Sequence, residues 1–280
     1  MAVSREHGRV KTDRIDLRLL KRSFLGWLRG EPEHCRMVEI RTLEAEDAVR
    51  PSREHDSLSA ERTRLGNQLK SALARFGVDN FNPLLRQAPE RLASVRTPEG
   101  TAIPENTRRE MERMMARLRL VKDQIKELDA ARVERLHKPA TDHVDTMVRL
   151  LTGIFGIGLQ TAETLVHEAL SRNLRDRRAV ARYAGLTGSP DESGKRRRDK
   201  GLARAGNARV RHCMIQLAWN FLRFQKDSAL ARWFSARTAD AARGGRKVMI
   251  VALARKLLVA LWRYVTTGVL PEGVVLRAGA

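Results

Sequence analysis

The sequence predicts a mainly α-helical protein, a long helical stalk followed by a compact helical C-terminal domain that contains a helix-hairpin-helix. Three observations carry this expectation. Apolar residues recur at intervals of three and four along several long segments. One of these segments fills most positions between its apolar residues with charge, the pattern of a helical seam. Finally, 42% of the 280 residues are hydrophobic, enough to bury a core.

Leu17, Leu20, Phe24, Trp27 and Leu28 have helical spacing, which predicts a helix from near Asp13 to Gly30-Glu31-Pro32. One turn back along the same stripe stand Asp13 and Asp16, so both carboxylates fall on or beside the packed face. Thr12 reads as an N-cap, and acids in a first turn are favoured by the helix dipole, so capping alone also accounts for the pair. Helical periodicity returns from Leu58 to Phe76 and again from Met111 to Leu136, where Met114, Leu118, Val121, Ile125, Leu128, Val133 and Leu136 mark a seam. Prolines 83, 89, 98 and 104 make the stretch between them irregular. Residues 51–138 therefore read as an antiparallel stalk that serves as scaffold or dimer contact, between an N-terminal part, 1–50, and a C-terminal domain, 139–280.

The C-terminal domain opens near Lys138-Pro139-Ala140. Its first feature is Gly153-Ile154-Phe155-Gly156-Ile157-Gly158, a glycine turn between two helical patterns. In a helix-hairpin-helix, Gly156 and Gly158 would allow a tight turn whose backbone amides take a phosphate; a plain helix connection has the same pattern. The last helix, Lys247 to Thr266, reads as core through Ile250, Leu253, Leu257, Leu258 and Leu261. Trp219, Trp233 and Trp262 are expected to pack in the same domain.

Charge narrows the partners. Lys and Arg number 54 against 33 acids, a net charge of +21, and the pI is near 11.2. Such an imbalance points to an extended polyanion, nucleic acid first. Aromatics are only 5% of the chain, which favours phosphate contact over base stacking. Cys35 and Cys213 stand far apart without metal-ligand spacing, arguing against zinc and a disulfide framework. The N-terminus has no apolar leader, and the run from Val248 to Ala254 is too short to span a bilayer. The expectation is a soluble, cytoplasmic protein without a membrane partner.

Leu186 to Ala205 is rich in Gly, Ser, Pro and charge, which predicts an exposed loop on a helical base. Ser193-Gly194 offers a hydroxyl beside Lys195, Arg196, Arg197, Arg198, Lys200 and Arg204, with Arg209 and Arg211 beginning the next helix. Serine attack on a phosphodiester asks for such a hydroxyl and for cations that neutralise the pentacoordinate transition state. Ser193 also reads as an ordinary turn residue, and the cations as a loop that grips DNA without chemistry. No His and acid follow at triad spacing, which argues against a serine hydrolase. Gly206-Asn207 reads as a turn or helix cap.

Lys11-Thr12-Asp13-Arg14-Ile15-Asp16, Arg62-Thr63-Arg64-Leu65-Gly66-Asn67, Gly156-Ile157-Gly158, Tyr183-Ala184-Gly185-Leu186, Ser193-Gly194 and Gly206-Asn207-Ala208-Arg209-Val210-Arg211 follow one another in an order that strongly resembles the DEDD-type transposases of the one-hundred-and-ten family of bacterial insertion sequences. The resemblance runs nearly end to end, through Ile215-Gln216-Leu217-Ala218-Trp219 and the final helix. It implies a RuvC-like domain of ribonuclease H type, of which residues 1–50 would be a remnant, and a coiled coil for assembly. It also implies Mg²⁺ held by acids that Asp13 and Asp16 match, and Ser193 as nucleophile in a covalent protein–DNA intermediate. The catalytic set is thus Ser193, Asp13 and Asp16, and the DNA-binding set is Gly156, Gly158, Lys195, Arg196, Arg197, Arg198, Arg209 and Arg211. A structured guide RNA is implied as a second partner, and a dimer or tetramer as the assembly. Against the family pattern residues 1–10 offer only Glu6, so the chain reads as truncated. Two other readings stay open: a non-catalytic nucleic-acid-binding remnant that regulates full-length copies, and a metal nuclease that needs no serine.

Overall fold

The computed structural model describes residues 13–31, 40–193, 196–202, 205–239 and 243–277. It divides into two units, Met1–Glu46 and Asp47–Ala280. In the first, α1 (Asp13–Leu28) carries Asp13 and Asp16 in its opening turn; Lys11 and Thr12 lie outside the described residues. The helix forms where periodicity predicts it, but its stripe is not packed. Leu17 and Leu20 are each 68% exposed, Phe24, Trp27 and Leu28 are exposed too, and Gly26 is the buried residue of the helix. Among the described residues of this unit there is no strand and no second full helix against which the stripe closes. Asp13 and Asp16 are correspondingly exposed rather than set on a packed face.

The second unit begins with two long antiparallel helices, α2 (Leu43–Ala74) and α4 (Glu105–His137), joined through a tip that holds the short α3 (Ala88–Ala93) and an isolated bridge between Arg96 and Ala102. Helix α2 runs unbroken across residue 50 with Pro51 inside it, so positions 50 and 51 stand in one helix. Proline there removes one backbone donor, which a 32-residue helix tolerates. Leu65, Leu69 and Leu73 of α2 pack with Met111, Met114, Met115, Leu118, Val121 and Ile125 of α4, and Phe81, Ala88, Leu92 and Ile103 close the tip. The seam read from the sequence is thus satisfied within one chain. Its lower end departs from the pattern, since Val133 is exposed and Leu136 packs on the C-terminal core instead.

The rest of the unit is a helical domain wrapped around α10 (Arg243–Thr267), which touches α5 (His143–Thr152), α7 (Arg177–Tyr183), α8 (Ala208–Phe224) and α9 (Ala229–Thr238). Leu253, Leu257, Leu258 and Leu261 of α10 are wholly buried, as periodicity predicts, and Trp233 and Trp262 pack at the edge of this core. Trp219 does not; it is 43% exposed. Helix α6 (Leu159–Leu165) passes directly into a π-helical turn, Val166–Leu170.

The connection from α5 to α6 has a structural role of its own. Gly156 has φ +94, and a Cβ there would stand 2.7 Å from that of Phe224. The Gln225 side chain donates to the carbonyls of Phe155 (2.7 Å) and Val275 (2.9 Å) and accepts from the Val275 amide (2.8 Å). Arg277 donates from its backbone to Gly153 O and from its side chain to Ile157 O, each at 2.8 Å. The C-terminal segment therefore straps this turn to α8. No helix among the described residues is long and apolar enough to cross a membrane.

Candidate active-site hairpin

Composition predicts an exposed loop over 186–205, and the described residues of that span differ from it. They form an antiparallel hairpin, β1 (Gly188–Ser193) and β2 (Arg196–Leu202), with Ser193 opposite Arg196, Glu192 opposite Arg197 and Asp191 opposite Arg198. The residue types are poor strand formers, which is why composition reads as loop. The register sets acidic positions against arginine positions. An irregularity between Gly188 and Pro190 falls where proline has no amide to give. Ser193 stands at the last paired position of β1. Gly194, Lys195 and Arg204 lie outside the described residues.

The two motifs that flank this hairpin in sequence meet at its base. Helix α7 starts at Asp176, whose carboxylate accepts from the amides of Ala179 (2.7 Å) and Arg178 (2.8 Å), bonds that hold it below the usual carboxylate range, the Ala179 amide foremost. The helix buries Val180, Ala181 and Ala184 and leaves Arg177, Arg178 and Arg182 exposed. It ends at Gly185, φ +64, where a side chain would run into the carbonyl of Ala205. Gly206 has φ +89, and a Cβ there would lie 2.6 Å from Tyr183 O and 2.7 Å from Arg182 O. Asn207 N donates to Tyr183 O at 2.6 Å, while its side-chain oxygen caps α8 by accepting from Arg209 N (3.0 Å) and Val210 N (3.2 Å). Only glycine fits two left-handed positions pressed this closely against backbone. Tyr183-Ala184-Gly185 and Gly206-Asn207 are thus the two halves of one clamp.

Beneath the clamp the stalk root is joined to the domain by buried polar groups. Glu168, in the π turn, accepts from Arg53 Nε (2.9 Å) and Nη2 (3.4 Å) of α2 and from Asn207 Nδ2 (3.3 Å). Ser52 and Thr164 share a buried hydroxyl bond of 3.0 Å. Asp56 pairs with Arg209 and accepts from Gln160 Nε2 at 2.7 Å. From α4, the buried Arg132 donates Nε to Glu163 Oε2 at 2.7 Å; its Nη2 stands equally close to that oxygen but off the line of a hydrogen bond.

Residues 148–233 match the family described as Transposase IS116/IS110/IS902 family. A protein of Sinorhizobium fredii (strain NBRC 101917 / NGR234) named "Putative transposase y4rJ" is 41% identical over 281 residues, covering 98% of this chain and 71% of that one. The chain belongs to the IS116/IS110/IS902 transposase family. The family segment runs from α5 into α9 and so contains the glycine turn, the π turn, the clamp and the whole hairpin.

Of the residues the sequence singles out in this transposase-family chain, the fold gathers Ser193, Arg196, Arg197 and Arg198 on the hairpin and Arg209 and Arg211 at its foot. Arg209 is engaged with Asp56, and Arg211 donates to Ala205 O at 3.3 Å, so both hold the base together. Gly158 caps α6 with open space where a side chain would stand. Asp13 and Asp16 belong to the other unit, and no three His, Cys, Asp or Glu residues cluster among the described residues. Two exposed carboxylates one turn apart do not complete the oxygen shell that Mg²⁺ demands. Cys213, a free cysteine in α8, is no competing nucleophile: burial, reinforced by the Asp56 carboxylate and opposed by Arg209, pushes its thiol up to about 12. Sequence reasoning missed Arg53, Asp56, Arg132, Glu163 and Glu168. No sequence signal marks the last two, since Glu163 and Glu168 stand among Thr164 and His167 in an ordinary mixed helical pattern, and only the fold shows that both are buried and therefore need partners.

Proposed function

We propose that this chain is a DNA strand transferase of an insertion sequence that acts through Ser193. The observation that carries this reading is the clamp: the family segment builds a rigid base at Gly185 and Gly206 and holds Ser193 at the far end of a hairpin that bears Arg196, Arg197 and Arg198. In the proposed step the serine oxygen bonds to a DNA phosphorus as one P–O ester bond breaks, and the departing strand oxygen takes up the proton that the serine loses. Attack by a strand hydroxyl on the phosphoserine then rejoins DNA and restores the serine. Cations around the phosphate neutralise charge that grows as the pentacoordinate state forms.

Asp13 and Asp16 are proposed to supply two oxygens toward a divalent ion, Mg²⁺, within a RuvC-like domain, with residues 1–50, 51–138 and 139–280 as the working division. The α5–α6 turn, with Gly156 and Gly158, is proposed as a helix-hairpin-helix contact for phosphate. A structured guide RNA and a homo-oligomer complete the proposal.

The test uses linear duplex that carries the gene with its own flanking DNA, incubated with the chain and Mg²⁺. A protein–DNA adduct that survives a denaturing gel, and is lost in Ser193→Ala with DNA affinity unchanged, supports the reading. Salt-sensitive binding with no adduct overturns the catalytic part and leaves a nucleic-acid-binding protein, the second reading, which is supported by the lack of a metal-holding cluster among the described residues. Cleavage that persists in Ser193→Ala points instead to a metal nuclease.

A further inference from the structure

We propose that Glu168 and Arg53 are positioning residues for the Ser193 hairpin, so that the stalk helix α2 sets the pose in which the hairpin meets DNA. This rests on the reading of Ser193 given above. The path is made of direct bonds. Arg53 presents two donors to the two oxygens of Glu168, at 2.9 and 3.4 Å, and the Glu168 side chain is 5% exposed. Glu168 Oε2 also accepts from Asn207 Nδ2 at 3.3 Å. Asn207 is the residue whose backbone amide is fixed to Tyr183 O at 2.6 Å and whose side chain caps α8. A displacement of α2 at Arg53 is therefore carried through one carboxylate to both ends of the clamp.

Two features distinguish this from an incidental ion pair. First, Glu168 lies in a π-helical turn, Val166–Leu170, at the end of α6; such turns are uncommon and tend to sit at functional places. Second, the Glu168 carboxylate is buried while Arg53 stays one-third exposed, so the cost of desolvating the carboxylate offsets much of the attraction and the pair adds little stability, whereas its two-donor geometry fixes position well. The same helix reaches the same base a second time, through Asp56 to Arg209, the second residue of α8. The stalk thus holds the hairpin foot at two points one turn apart on α2, an arrangement that resists rotation as well as translation.

The expected effect is on rate and not on affinity, since the groups that grip phosphate are untouched. Misplacement of a reacting atom by about an ångström costs on the order of 10- to 100-fold in rate. The experiment measures single-turnover adduct formation at saturating DNA for Arg53→Gln, Glu168→Gln and the conservative Arg53→Lys, together with DNA Kd and melting temperature. In parallel, spin labels at Arg64→Cys on α2 and Arg196→Cys on the hairpin, in a Cys35→Ser, Cys213→Ala background, report the stalk-to-hairpin distance with no chemistry required.

The proposal expects a narrow distance distribution in the parent that broadens in Arg53→Gln and Glu168→Gln. It also expects adduct rates lowered about 10- to 100-fold at unchanged Kd and partial recovery of both readouts in Arg53→Lys. Unchanged distances, or rates that fall only in proportion to the fraction unfolded, overturn it. Broadened distances with no adduct even in the parent uphold the positioning of the hairpin and put the fault in the Ser193 reading.

Discussion

Replacing Arg132 by Met tests the stalk root where it is most deeply buried. The Arg132 side chain is 2% exposed and that of Glu163 is 7% exposed, with Nε and Oε2 2.7 Å apart; Asp129, the other partner at 3.2 Å, is half exposed and can return to water. Methionine fills much of the arginine stem but leaves the Glu163 carboxylate buried without its counter-charge. Breaking one side of such a pair costs about 3–5 kcal/mol, whereas replacing both sides by apolar groups is near neutral or stabilising by about 1–4 kcal/mol. For a unit of about this size each kcal/mol moves the midpoint by roughly 2–4 °C. Arg132→Met should therefore lower the melting temperature by roughly 6–20 °C. Arg132→Met with Glu163→Leu should recover most of that loss. Scanning calorimetry on the two single variants, the double variant and the parent closes the cycle. A single variant within about 1 kcal/mol of the parent, or a double variant as unstable as the worse single one, would refute the view that a buried, mutually dependent pair joins α4 to α6.

Gly206→Ala should open the hairpin base, because left-handed backbone costs a side chain about 1–2 kcal/mol and the added Cβ meets Tyr183 O at 2.6 Å; faster tryptic cleavage at residues 196–200 with the rest of the domain intact is the expected result. In a Cys35→Ser background Cys213 should resist alkylation at pH 8 until the chain is unfolded. Because its thiol is raised to about 12 only in the folded state, unfolding releases a proton above about pH 9, so stability is unaffected below that pH and falls as pH rises from there toward 12; rapid labelling of the native chain would contradict this. Affinity for duplex DNA should fall about 10³- to 10⁵-fold between 50 and 200 mM salt if roughly six to ten phosphates are contacted. A flat salt dependence would rule out phosphate-dominated binding.

The helices were legible from their periodicity, whether or not the face it marks meets a core. Periodicity placed α1, α4 and α10 close to their observed bounds, and Asn207 announced α8 as its cap. What periodicity does not carry is the identity of the partner. Ile125 and Leu118 mark a seam, but whether it closes on α2 of the same chain or on another chain depends on the tip at Phe81, Leu92 and Ile103, which has no period. Leu17 and Leu20 have the same spacing and stay exposed. The hairpin was hidden for another reason: it is held by its base rather than by strand-forming residues, and the contact of Gly206 with Tyr183 spans more than twenty residues of sequence. The buried carboxylates Glu163 and Glu168 were not readable, because their partners Arg53 and Arg132 meet them at the stalk root from helices far away in sequence.

The most direct test of the central claim is to find the atom that joins protein to DNA. Adduct formed on the gene's own flanking duplex would be digested with nuclease and trypsin, and cleavage after Arg182 and Lys195 releases Tyr183–Lys195 as one peptide. That peptide holds Tyr183, Thr187, Ser189 and Ser193 as alternative acceptors, so tandem mass spectrometry decides among them. The account predicts a nucleotide phosphate on Ser193, at the end of β1. A nucleotide on any other residue, or none on a protein that nevertheless recombines DNA, would contradict it.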